Sequence, residues 1–518
     1  MNRAWALGFC LIAVVGLTLR CLRLDNRPMH NDEAVNAIKL ATHWTAERYR
    51  YDPNEHHGPT LYYGSLAAVW LSGTRRFDEL HETTLRLTPA LFGVGLILLL
   101  GLLRDGLGRG ATLAAAWFTC LSPAMVFYSR DYIHEMLLVF FVALAGVGLW
   151  RYARERKALW AGMAGLGLGL AYATKETFVF SVAAAAAALA LTARMEGGAP
   201  VARRWLRACQ PGHAALGLLV ALGVSQLLFT SFLSNPEGAL DSVRTYLPWL
   251  ERAGGQSPHL HPWYFYLERL AFFQRPRGPV WTEGLILLLA VVGMSAALTG
   301  RWLRDTDRRL ARLLTFYTLG LTAIYSAIAY KTPWCVLGFL HGFILLAGIG
   351  VVVVFEWIRP RWARTGLAVV LTLATAHLAW QSGLASFVRF ADWRNPWVYA
   401  QTSPDLLRLP AQVAKLAQVH PDDRHMLVRV IAPESDYWPL PYYLRQFDRV
   451  GWYDRLPEDP FAPVVIVAAK LGAALDERSD RRWLLAGLFE LRPAVFLELY
   501  VETELWKKWV ETRGPLPE

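Results

Sequence analysis

Residues 1–385 carry a succession of apolar runs at or near the length that crosses a lipid bilayer, and nothing else in the 518-residue sequence restricts its folding as severely. A helix needs about 20 apolar residues to cross roughly 30 Å of hydrocarbon. Runs near 4–22, 87–103, 111–128, 132–150, 158–174, 176–193, 212–233, 282–299, 310–329, 335–356 and 364–385 predict about eleven spans. Backbone polar groups in lipid must be satisfied within the segment, so such runs fold as helices. The expected fold class is an α-helical polytopic membrane protein. The run LYYGSLAAVWLSG (61–73) is too short and has polar flanks, and reads as an interfacial or re-entrant segment. The first run lacks an AxA-like cleavage site and is followed by Arg20 and Arg23, which predicts an uncleaved span in place of a signal peptide.

Only 18% of the chain is charged, against about 25% for soluble domains. The formal net charge of +11 would suit nucleic acid if the basic residues formed a stripe. They gather instead in alternate gaps between apolar runs: Arg104 and Arg109; Arg151, Arg154, Arg156 and Lys157; Arg194, Arg203, Arg204 and Arg207; Arg301, Arg304, Arg308, Arg309 and Arg312; Arg359, Arg361 and Arg364. The positive-inside rule places these gaps in the cytoplasm, so no nucleic-acid partner is expected. If 61–73 crossed the bilayer, all five gaps would face outward. The resulting expectation is a multi-pass protein of the cell (inner) membrane with a cytoplasmic N-terminus. Residues 1–385 form its transmembrane domain, and residues 386–518 form a small extracytoplasmic α/β domain. Five cysteines without a CxxC pair argue for neither a disulfide framework nor a structural zinc site.

The loops assigned to the outer face hold the unusual polar residues. HNDEAVNA (30–37) sets Asp32 beside Glu33 just beyond the first span, a pair able to take a proton from a hydroxyl or to coordinate a metal; the alternative is that Asn31 or Asp32 simply caps the following helix. NEHHGPTLYY (54–63) offers His56 and His57 as divalent-cation ligands or as ordinary loop residues. YSRDYIHEM (128–136) brings Arg130, Asp131, His134 and Glu135 to a helix end. Ionisable groups within a membrane cost roughly 2.5–3.5 kcal/mol each at its centre and commonly mark function; a salt bridge between Arg130 and Glu135 is the alternative. Lys175 in ATKETF and Lys331 in YKTPW, with Arg86, suit a phosphate as point charges or anchor the interface. Trp334 closes the second of these turns. HLHPWYFY (259–266) adds His261 within an aromatic cluster typical of the interface.

These motifs in this order resemble the GT-C superfamily of polyprenyl-phosphate-dependent glycosyltransferases, which includes the protein O-mannosyltransferases and the aminoarabinose transferase of lipid A. The resemblance covers most of 1–385 and rests on the DE pair, HGPTLYY, TLRLTPALFG (84–93), LSPAMVFYSRD (121–131) and LAYATKE (170–176). YKTPW with His341, HPWYFY and NPWVYAQTSPDLLRL (395–409) are similar to the flippase-activity-associated, Agl23-like proteins. The resemblance implies transfer of a sugar from a polyprenyl-phosphate donor to a glycan, lipid or protein acceptor outside the cytoplasm. It implies Asp32, with Glu33 beside it, as the catalytic carboxylates, and Arg86, Arg130, Lys175 and Lys331 as donor-phosphate ligands. Asp131, His134, Glu135 and Trp334 are further substrate-site candidates. A divalent metal cation at His56, His57 and His261 is a candidate cofactor. No nucleotide cofactor is expected, because no Walker motif or strand-borne GxGxxG is present. A polyprenyl chain gains about 0.8 kcal/mol per buried CH₂, which keeps its phosphate at the interface. A lipid-linked oligosaccharide transporter, or an accessory subunit of one, is the alternative from another class.

In 386–518, LVRVIA (427–432) and PVVIVAA (463–469) read as buried strands, and 404–418 and 502–511 as helices. APESDYWPLPYYLRQF (432–447) places carboxylates and aromatics after the first strand, a composition suited to sugar contact or to a packed turn.

Overall fold

The computed structural model describes residues 3–42, 49–54, 57–249 and 259–513. The chain separates into two compact units. The first comprises Met1–Leu24, Tyr49–Ser72 and Thr83–Tyr399; the second comprises Asp25–Arg48, Gly73–Glu82 and Ala400–Glu518.

The first unit is helical. Seven helical segments among the described residues are long and apolar enough to cross a membrane: Arg3–Cys21, Glu82–Leu107, Glu135–Glu155, Phe178–Met195, Pro211–Phe229, Pro333–Trp357 and Arg361–Val388. Ala158–Tyr172 and Gly284–Thr299 are shorter apolar helices, and Arg308–Ala327 is a 20-residue helix opening on arginines. The run expected as one span at 111–128 is broken: Arg109–Leu121 and Pro123–Ser129 meet at 58°. Pro123 lacks an N–H for the helical ladder. Ser122 caps the new helix by accepting from the Met125 N–H at 3.3 Å. Glu283 completes the cap, accepting from Ala124 N–H at 2.9 Å and from Ser122 Oγ at 2.6 Å. The short run near 61–73 is the helix Thr60–Ser72, 13 residues long; at 1.5 Å per residue it spans about 20 Å, short of the hydrocarbon thickness.

Small residues bring the helices together, since apolar side chains gain nothing from leaving lipid for a protein interior. A Cβ on Gly350 would meet the Leu289 carbonyl oxygen at 1.9 Å, and one on Gly293 would meet that of Leu346 at 2.1 Å, so Gly284–Thr299 packs backbone to backbone on Leu337–Trp357. The apolar window of Pro333–Trp357 is 83% buried, against 11% for Pro211–Phe229. The former is the hub of the unit and the latter lies on its periphery.

The second unit is a five-stranded mixed sheet in the order β2-β1-β3-β5-β4, with β1 Val428–Ile431, β2 Val450–Tyr453, β3 Val464–Ala468, β4 Trp483–Arg492 and β5 Val495–Glu502. β2, β1 and β3 run parallel, while β5 is antiparallel to β3 and to β4. Side chains alternate across a strand. Val428, Val430 and Ile466 accordingly pack with Leu409, Val413, Leu505 and Trp509 from helices Arg408–Ala417 and Thr503–Glu511. Ile431, Val465 and Val467 pack on the opposite face with Leu475 and Tyr500. The segment after the first span joins this unit: the Met29 N–H donates to Tyr443 Oη at 2.8 Å, and Thr402 Oγ1 donates to the Met29 carbonyl at 2.7 Å.

Candidate functional site

Within the second unit, the DE pair opens helix Asn31–Ala41. The sequence offered Asn31 or Asp32 as its cap, but His30 takes that part, with Nδ1 accepting from the Asp32 N–H at 3.1 Å. Glu33 reaches back to the His30 N–H at 2.8 Å, completing a capping box, and lies 3.7 Å from the Arg27 guanidinium. The buried Glu33 carboxylate therefore holds the turn. Asp32, one residue earlier on the helix, has a side chain 45% exposed, and its ion-pair partner among the described residues is His30 at 4.0 Å. The capping box fixes the backbone that presents the Asp32 carboxylate.

Three separate turns of the first unit converge at one end of its helices. Gly58 lies so close to the turn after Ala158–Tyr172 that a Cβ there would meet the Ala173 carbonyl oxygen at 2.2 Å. The Gly58 N–H donates to the Thr174 carbonyl at 3.1 Å and the Thr60 N–H to that of Ala173 at 3.2 Å. The Gly-Pro turn thus docks on the Lys175–Glu176 turn through its backbone. His57 Nδ1 then lies 2.7 Å from Glu176 Oε2, and its ring stacks on Trp249 with centroids 5.0 Å apart. Thr245 Oγ1 donates to the other Glu176 oxygen at 3.2 Å. His134 Nε2 lies 3.0 Å from the Gly58 carbonyl, and Lys175 pairs with Glu135. Lys175 and Glu135 are 5% and 6% exposed at the side chain, so two opposite charges are shielded together from solvent. The Arg130–Glu135 bridge weighed from sequence gives way to this Lys175–Glu135 pair. Asp131 is buried beside them in the chain.

The arginines expected to hold phosphate are spent on the backbone. Arg130 donates to the carbonyls of Leu19, Arg20, Leu22 and Arg23, at 3.1, 3.2, 2.6 and 2.8 Å. A helix leaves its last carbonyls without partners, and Arg130 supplies donors to those of Arg3–Cys21. Arg86 donates to the Leu24 carbonyl at 2.7 Å. Both fix the exit of the first span.

Lys331 has a different setting. Its ammonium donates to the carbonyls of His261, at 3.2 Å, and Ile328. Among the described residues it has no carboxylate partner within ion-pair range. Burial lowers its pKa from the ordinary lysine value. His261 stacks on Phe265 with centroids 4.1 Å apart, and the Arg269 guanidinium lies 3.5 Å from the same ring's centroid. Arg269 is 8% exposed, donates to the Phe265 carbonyl at 3.1 Å, and keeps a buried Nε without a hydrogen-bond partner. Tyr399 Oη lies 2.7 Å from His259 Nδ1 and 3.1 Å from His261 Nε2. Trp334 packs edge-on between Tyr128 and Tyr399. Burial first, then Arg269, His259 and Lys331, hold His261 down at about 4, so its ring is neutral near pH 7. Glu268 lies 3.7 Å from the Arg269 guanidinium, so the cluster keeps the Lys331 charge and the open Arg269 Nε as donors suited to an anionic oxygen.

Sequence reading missed Arg269, His259, Tyr399, Trp249 and Thr245. The one available signal was an arginine amid the apolar FYLERLAFF; the Tyr399–His259 pair spans 140 residues and leaves no local trace. The expected metal ligands do not come together. His57 is engaged by Glu176 and His261 by Tyr399, while His56 lies outside the described residues. Among the described residues, no three His, Cys, Asp or Glu side chains gather to hold a metal.

Residues 61–231 match the family model for dolichyl-phosphate-mannose-protein mannosyltransferase. No curated protein sequence matches the chain. Among solved structures, ArnT from Cupriavidus metallidurans bound to undecaprenyl phosphate aligns with a TM-score of 0.62 at 16% identity, over 98% of this chain and 99% of its own. The archaeal oligosaccharyltransferase AglB from Archaeoglobus fulgidus, in complex with an inhibitory peptide and a dolichol-phosphate, aligns with a TM-score of 0.55 at 13% identity, over 91% of this chain and 70% of its own. A complex of the Archaeoglobus fulgidus oligosaccharyltransferase with Zn and sulfate gives 0.55 at 14% identity, over 98% and 76%. The helical end-to-end match, the matched family segment and the motifs agree: this chain has the fold of the GT-C superfamily of membrane glycosyltransferases.

Proposed function

We propose that this protein is an integral-membrane glycosyltransferase that moves a sugar from a polyprenyl-phosphate donor to an acceptor on the extracytoplasmic face. The observation that carries the reading is the buried Lys331 ammonium, which has no carboxylate partner among the described residues, beside Arg269 with its unpartnered Nε, in a GT-C fold. Buried cations without carboxylate partners are costly unless an anion completes them. A lipid phosphate is the anion that a bilayer delivers to such a place.

In the reaction, the acceptor hydroxyl gives its proton to a carboxylate as its oxygen bonds to the anomeric carbon. The bond from that carbon to the phosphate oxygen breaks, and the electron pair leaves on the lipid phosphate. Asp32 is the proposed base, with its presentation set by the His30–Glu33 capping box. Lys331 and Arg269 stabilise the departing phosphate. A single displacement of this kind gives inversion at the anomeric carbon. His57, oriented through Nδ1 by Glu176, keeps Nε2 for the substrate. Arg86 and Arg130 position the chain after the first span.

The test is turnover of a radiolabelled polyprenyl-phosphate sugar by the purified protein. Wild type forms a glycosidic bond, and Asp32→Asn loses about 10²–10⁴-fold in rate, the usual worth of a positioned general base. Full activity in Asp32→Asn removes the base assigned here. Movement of the lipid across the bilayer without bond formation would instead assign the protein to lipid-linked oligosaccharide transport.

A further inference from the structure

The sheet of the second unit has a topological switch point that the transfer reaction does not use. β1 leads to β2 on one side, and the chain then crosses to β3 on the other, so the C-terminal ends of β1 and β3 form a topological switch point. In open α/β sheets, ligands bind at such points. Here the β1 end supplies Glu434, Ser435, Asp436, Tyr437 and Trp438, and the β3 end supplies Lys470.

The chemistry at this end is specific. Asp436 is held between Lys470 Nζ, at 2.8 Å, and Arg492, which saturates its carboxylate and anchors the loop. Glu434, 84% exposed at the side chain, stands 3.4 Å from the same ammonium. Tyr437 packs against Trp452 with centroids 4.7 Å apart and lies nearly parallel to Trp438, and all three rings are half-buried. Glu434 and Ser435 hold φ of 60° and 58°, left-handed values that non-glycine residues adopt rarely and that cluster at binding sites.

A nucleotide does not fit: its pyrophosphate needs bare N–H groups in a glycine-rich turn, and this turn carries a proline and two carboxylates. A metal does not fit either, since the ammonium occupies the space between the carboxylates. We infer that the switch point, with Glu434, Trp438 and Lys470, binds a glycan. Sugar hydroxyls both donate and accept, so they use the carboxylate and the ammonium together. The C–H face of a pyranose is apolar and packs on an aromatic ring. The inference does not depend on the transfer reaction, because binding is read without turnover.

The test is retention of the full chain, in lipid nanodiscs, on an array of defined hexose and pentose oligosaccharides. Wild type retains a subset of them. Glu434→Ala and Trp438→Ala each weaken that binding at least about tenfold, the scale of one lost charge-assisted contact, while Trp438→Phe keeps most of it. Glu434→Ala alters an exposed side chain, and an unchanged melting temperature shows that its effect is on binding. Lys331→Met, which acts on the donor phosphate, binds glycans as wild type does. Retention of no glycan overturns the inference, as does wild-type binding by both alanine variants or loss of binding in Lys331→Met.

Discussion

Replacing Lys175 by methionine strips one partner from an ion pair whose side chains are 5% and 6% exposed, and leaves Glu135 charged in a shielded setting. Removing one member of a buried pair costs about 3–5 kcal/mol, mostly through the abandoned charge. Exposure this low places the Lys175→Met loss within that range and well above the ~0–1 kcal/mol of a surface bridge. Because the shift per kcal/mol shrinks with protein size, the melting temperature in detergent falls by roughly 5 °C. The double variant Lys175→Met/Glu135→Leu removes both charges and recovers most of the stability, since apolar replacement of a buried pair is often neutral or better. The transfer assay then separates architecture from chemistry. If the pair serves the substrate as well as the fold, the double variant regains its melting temperature while its transfer rate remains at least tenfold down. A Lys175→Met protein as stable as wild type would refute the burial argument. A fully active double variant would refute the functional one.

Glu33→Ala removes the reciprocal half of the capping box and leaves Arg27 without its carboxylate. It should destabilise the second unit by about 1 kcal/mol, measured by denaturant unfolding of the full chain, and Glu33→Gln should restore most of that. Lys331 deprotonates below the ordinary lysine range, so donor binding weakens as pH rises through its lowered pKa. Lys331→Arg stays charged and moves the alkaline limb of the pH–activity profile upward; an unmoved limb assigns it to another group. With native cysteines removed, Ser435→Cys should react with impermeant maleimide added outside the cell, and Arg304→Cys should react only after permeabilisation. Reaction of both from the same side would overturn the topology read from the basic gaps.

The strands at 428–431 and 464–468 and the helices at 408–417 and 503–511 were legible because each is a short apolar run or an amphipathic stretch bounded by turns. The hairpin β4–β5 was not: WLLAGLFELR is leucine-rich, and its pairing with VFLELYVE comes from a turn at Pro493–Ala494, with Ala494 in the left-handed region, and from the open edge of β3. Asp32 and Glu33 were found together in the sequence, but which one caps and which one stays exposed depends on the His30 side chain.

The sequence by itself determined where the helices lie and which residues are too polar for their surroundings, because both follow from local transfer free energies summed along the chain. What only the tertiary structure decided is whom each charge meets. Arg130 was read as a phosphate ligand and caps a helix 107–111 residues away, whereas Arg269 went unremarked and keeps a buried nitrogen open. Burial makes an unmatched charge costly but does not name its partner. That partner is set by packing, where small residues such as Gly58 let distant turns approach until their side chains share one end of the helices.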